Sequence, residues 1–279
     1  MERLVYQSKR KEQSRGNMRV RMVRWLFLGG MVLSALIYIP HIPQLQVETI
    51  EVEGVDAKTA LEIRAFAVHA LAGTLGSVVP RRMFFAIRST RLAERITHEF
   101  PKLKEVQVRK RFPDSLAIQA SERELFAILC NDKERDTFAV RHASAPVKCA
   151  YLDADGIAYS AAPVFAGRLI LKIRTDFEDI GIGREALTPP LIKKFGFITS
   201  ALALRMGIAI ESIELSERVP SEFRVAAADG LHLFFRVEDE YENVLRVLGR
   251  VLEDEIGDRR ESVDYIDLRF GNKVFYKFK

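Results

Sequence analysis

The residues of this 279-residue chain with reactive side chains to offer are two cysteines, five histidines and one tight acidic turn. Cys130 and Cys149 bracket a polar stretch, Asn131–Val147, and each sits in or beside an apparent strand. If those strands pair as a hairpin, the two sulfurs face each other, and an oxidising compartment permits a bridge worth about 3 kcal/mol through loop closure. Two free, half-buried thiols are the other state the residues allow. Neither thiol has a convincing base partner, since His142 lies in a polar loop. Asp153-Ala154-Asp155-Gly156 hints at calcium, but Val164 stands where such a loop needs its bidentate Glu. Asp153 and Asp155 are therefore expected as solvated turn acids. His41, His69, His98, His142 and His232 show no metal-ligand spacing, and Gly181-Ile182-Gly183 lacks the third glycine of a nucleotide loop. No P-loop, H-E-x-x-H, G-x-S-x-G or C-x-x-C pattern occurs. No catalytic residue, metal or cofactor is assigned, and the expectation is a protein that is not an enzyme and takes no small-molecule substrate.

What remains is binding chemistry, and it concentrates at the end of the chain. Ser262–Lys279 reads as a strand, a Gly271-Asn272 turn and a second strand carrying Phe270, Val274, Phe275, Tyr276 and Phe278. A terminal hairpin leaves one strand edge with unpaired backbone groups, which can accept a partner strand. The same rings can instead cover a core, and alternation allows both uses at once. Lys273, Lys277 and Lys279 suit an edge that must refuse promiscuous pairing.

The elements positioning that hairpin begin with an unusual charge distribution. Of the 43 Lys/Arg and 38 Asp/Glu, residues 1–24 hold eight and two, so the remaining 255 residues hold 35 and 36. The body is nearly neutral, which argues against a nucleic-acid-binding face. The basic tail is followed by Trp25–Ile42, 18 residues without a formal charge. As a helix this run spans about 27 Å, just enough for a bilayer core, with Trp25 and Tyr38 near its ends as interfacial anchors. The run is longer than a signal-peptide core, and Tyr38, Ile39 and Pro40 make a poor cleavage site. The expectation is a retained single-pass anchor at 25–42, the 1–24 tail in the cytoplasm and residues 43–279 outside.

Beyond the anchor the pattern is β-α-α-β-β. Gln46–Gly54 alternates as a strand, a helix carries Leu61, Ala65 and Val68, and Gly73 ends it. Ser89 or Thr90 caps a second helix with Leu92, Ile96 and Phe100 on one stripe, and two strands meet at Pro113-Asp114-Ser115. A β domain follows, with Thr188-Pro189 opening a helix that Gly207 stops, strands at 208–215, 223–227 and 231–237, and an amphipathic stretch at 240–253. The fold class is α+β: an anchor, a small module at 43–122, and a mixed sheet with helices at 123–279.

Several of these pieces resemble one family. V-R-K-R-F-P-D-S-L-A-I-Q-A-S-E-R-E-L-F-A from Val108 is similar to the end of the POTRA domain in the cell-division proteins FtsQ and DivIB. Tyr151–Tyr159 resembles that family's V-D-x-x-G-x-x-F segment, and Y-I-D-L-R-F-G-N-K-V from Tyr265 its terminal motif. Phe235–Glu238 and Phe270 depart from the usual Leu-Gly and Tyr. Glu122-Arg123 reads as a salt-bridged hinge of little net energy.

The resemblance implies a POTRA-containing divisome scaffold of the cell inner membrane, acting at the division septum. It implies partners of the FtsB/FtsL type, small membrane coiled-coil proteins, bound at Arg269, Phe270, Gly271, Asn272, Lys273, Val274, Phe275 and Tyr276, with Arg269 meeting an acid on the partner. The alternative is a POTRA-type envelope-assembly or secretion component that binds unfolded polypeptide.

Overall fold

A computed structural model describes residues 21–34, 38, 42–75, 79–131, 149–164, 167, 170–177, 179–271 and 273–279. Residues 21–34 (α1) and Tyr38 are helical. Among the described residues no helix is long and apolar enough to cross a membrane. The apolar run from 25 to 42 is described only in part, since 35–37 and 39–41 lie outside the described residues, as does the basic tail through residue 20. Trp25 and Tyr38 are 74% and 76% exposed.

The chain divides into two compact units, one comprising residues 1–99 and 105–121, the other 100–104 and 122–279. In the first, β1 (Thr49–Glu53) leads to α2 (Ala57–Ala70). Asp56 caps α2 by accepting from the Lys58 and Thr59 backbone N–H groups, satisfying two donors the helix cannot pair itself. Two-residue strands β2 (Thr74–Leu75) and β3 (Val79–Pro80) interrupt the expected loop and pair with each other. Next come α3 (Ser89–Glu99), which includes Ser89 and Thr90, and then β4 (Leu103–Arg111) and β5 (Ser115–Glu122). The sheet order is β1-β5-β4, with β1 and β5 parallel. Ile63, Ile96, Leu116 and Ile118 fill the core under this sheet, almost fully buried.

The second unit is built on one ten-stranded sheet. Its strands are β6 (Ala127–Asn131), β7 (Cys149–Leu152), β8 (Ile157–Ala162), β9 (Lys172–Thr175), β10 (Arg184–Glu185), β11 (Ile210–Leu215), β12 (Glu222–Ala227), β13 (His232–Arg236), β14 (Val263–Phe270) and β15 (Lys273–Phe278). They lie in the order β10-β8-β7-β6-β9-β11-β12-β13-β14-β15. β9 starts at Lys172, later than the alternation from Gly167 suggests. One face carries Leu129, Leu152, Ile173, Ile213, Val225, Leu233 and Ile266, all buried against α4 (Pro189–Met206) and α5 (Tyr241–Arg250). Period-two burial on the strands meets period-3.6 stripes on the helices, and each large buried side chain such as Phe195 or Phe235 contributes about 1.5–3 kcal/mol. α4 begins at Pro189 after Thr188 and ends at Gly207, whose φ of 63° supplies the left-handed cap. α5 stops at Arg250 and runs on as a π turn, Val251–Ile256, shorter as a regular helix than the sequence pattern implies.

Two expectations from the sequence are corrected here. Asp153 is not solvated: it is 3% exposed. Its partner is Arg123, whose guanidinium lies 2.5 Å away at 14% side-chain exposure, so Arg123 does not spend its charge on Glu122. The Asp153 carboxylate also accepts from the backbone N–H groups of Asp155 and Ile157. The turn tightens because Gly156, at φ 79°, presses against Leu187, where a Cβ would stand 1.8 Å from the carbonyl oxygen.

Candidate partner-binding edge

β15 is the last strand of the large sheet. It pairs antiparallel with β14 along one side and has no strand on the other among the described residues. Its alternation divides the work. Val274 and Phe278 pack against the core, and Phe278 also lies beneath the Arg259 guanidinium, 4.8 Å from ring centre. Phe275 is 51% exposed and meets the 55%-exposed Phe270 edge to face at 5.2 Å. Tyr276 is 37% exposed, edge-on to Phe278. Gly271 makes the turn at φ 67°, Lys273 is exposed, and Lys277 is 3.8 Å from Asp264. Asn272 lies outside the described residues.

Arg269 is held by its own chain. Its Nε and Nη2 donate to the Asp267 carboxylate at 2.8 and 2.6 Å, and Nη1 donates to Glu222. The guanidinium also stacks 5.1 Å over Phe234 and 5.9 Å from Phe270. The hydrogen bond to Asp267, reinforced by Glu222, holds Arg269 protonated well beyond the ordinary arginine range. Burial alone would raise the Asp267 carboxyl, but hydrogen bonds from the Arg269 side chain and backbone N–H outweigh it and hold that carboxyl below the usual range. The group therefore ties β14 to the start of β12 and props Phe270 outward.

This clamp opens onto the sheet face opposite the helices. There a groove of about 600 Å³ runs past Arg174, Glu214, Arg224, Phe234 and Arg269. The charges alternate along it: Arg174 stands 3.9 Å from Glu214, and Arg224 is hydrogen-bonded to the same carboxylate. Glu222, Phe234 and Glu214 belong to this surface and were not singled out in sequence. Their signal was available, because Glu222 and Arg224 share one phase of β12 opposite the apolar Phe223 and Val225. What was missing was the strand order that sets β12 beside β13 and β14.

At the far side of the sheet, Cys130 and Cys149 are register partners on β6 and β7 and form a disulfide. The bridge closes the segment 132–148, which lies outside the described residues. Cysteine pairing here fastens two strands and leaves no thiol for chemistry. Among the described residues no group of His, Cys, Asp or Glu is arranged to hold a metal ion.

Residues 45–123 match the POTRA domain, FtsQ-type. The match covers the first sheet with both its helices and shows that this part of the chain is a POTRA domain of the FtsQ type. No curated protein matches the chain.

Proposed function

We propose that this chain, with its FtsQ-type POTRA domain, is a non-enzymatic divisome scaffold that binds FtsB/FtsL-type partners by strand addition at β15 and helps regulate septal peptidoglycan synthesis. The observation that carries this reading is the outer edge of β15, which no strand among the described residues pairs, with Phe270, Phe275 and Tyr276 exposed beside it. Backbone bonds along the edge supply affinity, and the pockets between alternate side chains supply selectivity. Lys273 and Lys277 discourage indiscriminate pairing. In this reading Trp25–Ile42 anchors the protein in the cytoplasmic membrane at the septum, with the N-terminus inside and residues 43–279 on the periplasmic side. Arg269 contributes chiefly by shaping the hairpin, because its donors already face Asp267 and Glu222.

The test is titration of the full chain, in detergent, with a purified FtsB–FtsL-type coiled-coil pair from the same organism. Removing residues 263–279 is not a clean variant, since it strips the buried Val263, Ile266 and Leu268 from the core. Phe275→Asp with Tyr276→Asp alters exposed positions only. It is expected to weaken binding at least tenfold, about 1.4 kcal/mol, while the thermal midpoint stays put. Unchanged affinity would move the site away from β15. Loss of affinity for the coiled-coil pair together with tight binding of unfolded polypeptide would favour the envelope-assembly reading.

A further inference from the structure

The first unit carries a surface that strand addition at β15 does not use. Residues 81–88, between β3 and α3, expose Phe85 (62%), and the β4–β5 turn exposes Phe112 (70%). Both rings stand edge-on against one buried neighbour, Phe84, with centroids 5.4 and 5.8 Å away. Arg81, Arg82 and Arg88, on the same segment as Phe85, are exposed. Lys110 lies 5.5 Å over the Phe84 ring and donates to the Phe84 carbonyl. Arg111 is offset by Glu51 at 2.6 Å. Glu48 and Asp114 are the other acids near this end of β1 and β5, so the cations predominate.

The location of this patch indicates its partner. The Phe84 N–H donates to the Leu45 carbonyl and the Val47 N–H to the Arg82 carbonyl, both at 2.9 Å, while Gln46 bridges to Met83. The aromatic loop is thus fastened to the chain immediately after the apolar run that ends at Ile42. Pro43–Leu45 forms a 3-10 turn, in which three residues rise about 6 Å. A headgroup layer is about 5–8 Å deep on each side of a bilayer core. With Ile42 at the core boundary, as the anchor reading has it, Leu45 and the loop hydrogen-bonded to it stand no more than about 6 Å beyond that boundary, within the depth where aromatic rings and arginines partition to an interface.

We infer that Phe85 and Phe112, together with the exposed Arg81, Arg82 and Arg88 of the 81–88 segment, dock the first unit on an anionic lipid surface. The rings enter the headgroup boundary and the guanidinium groups meet lipid phosphates. The inference rests on the anchor reading proposed above, and the experiment separates the two.

The full chain is reconstituted into vesicles of phosphatidylcholine and phosphatidylglycerol containing brominated lipid. Trp25, the chain's only tryptophan, is changed to Phe, and a reporter is added as Phe85→Trp or, for comparison, Leu61→Trp. Leu61 is 66% exposed near the start of α2, which follows the opposite end of β1. The indole at position 85 is expected to be quenched at least about threefold more than that at position 61. Phe112→Ser and Arg81→Glu with Arg82→Glu, each added to the Phe85→Trp reporter, are expected to reduce its quenching. Retention of the protein through an alkaline carbonate wash, with equal quenching at 85 and 61, overturns the docking inference and leaves the anchor standing. Release by the wash overturns both.

Discussion

Arg123 and Asp153 set the strictest demand on single residues in the second unit. Both are largely buried, and the carboxylate satisfies two backbone N–H groups as well as the guanidinium. Arg123→Met leaves that carboxylate with its backbone donors only, and the cost is expected near 3 kcal/mol in urea unfolding, the scale for a broken buried pair. Adding Asp153→Asn should recover part of it; a double-variant loss equal to the sum of the two single-variant losses would show the pair to be uncoupled. Titration acts at the same scale. Burial opposes ionisation of Asp176, Asp229 and Asp267, yet hydrogen bonds hold each below its ordinary range. A depressed folded-state value means stability that is fully present above the unfolded carboxylate range, about pH 4, and lost as pH falls through the folded values. Asp267→Asn should therefore flatten the acid limb of stability against pH while lowering the plateau near neutrality. An acid limb as steep as in the parent would assign that limb to other carboxylates.

At the scale of elements, two hairpins are fastened by different means. The β6–β7 pair is held by the disulfide between register partners, closing a sequence separation of 19. Its reduction is expected to cost about 3 kcal/mol, read as a lower urea midpoint after dithiothreitol than before; coincident curves would show that the bridge constrains nothing. The β14–β15 pair depends on packing on one face and the Arg269 clamp on the other. Ile266→Ala should cost about 2–5 kcal/mol because it leaves a hole under α4 and α5. Phe275→Asp should change stability by no more than about 0.5 kcal/mol because its ring is half in solvent. If the two variants unfold alike, β15 is not a free edge but part of the core.

For the molecule as a whole, charge and hydropathy govern orientation while the folded units remain nearly neutral. With eight Lys/Arg ahead of residue 25, the proposed anchor should insert with its N-terminus inside. Protease added to intact spheroplasts should then digest residues 43–279. Protection of that segment would reverse the topology and remove both the edge and the aromatic patch from the periplasmic side.

Local periodicity was enough to read most elements of both units. Alternation marked β1, β4, β5 and β11–β15, the 3.6-residue stripes marked α3 and α4, and Pro189 and Gly207 bracketed α4, since each of these signals is written within a few neighbouring residues. In α2 the helical spacing of Leu61, Ala65 and Val68 located the helix but not its buried face, which is Ile63, Ala67 and Ala70 while Leu61 and Val68 are exposed. The terminal hairpin was also accessible that way, whereas alternation left Cys130 and Cys149 open between a bridge and two free thiols, and only the β6–β7 register pairs them. The partners of Arg123 and Arg269 were not. Asp153 lies 30 residues from Arg123 and Glu222 lies 47 from Arg269. Those pairs form only once the sheet has brought distant strands to one face, and burial then decides that each arginine is worth more to its own chain than to solvent. Spacing can say that a carboxylate occupies a turn; whether water reaches it depends on what the rest of the chain packs over it, which only the tertiary structure specifies.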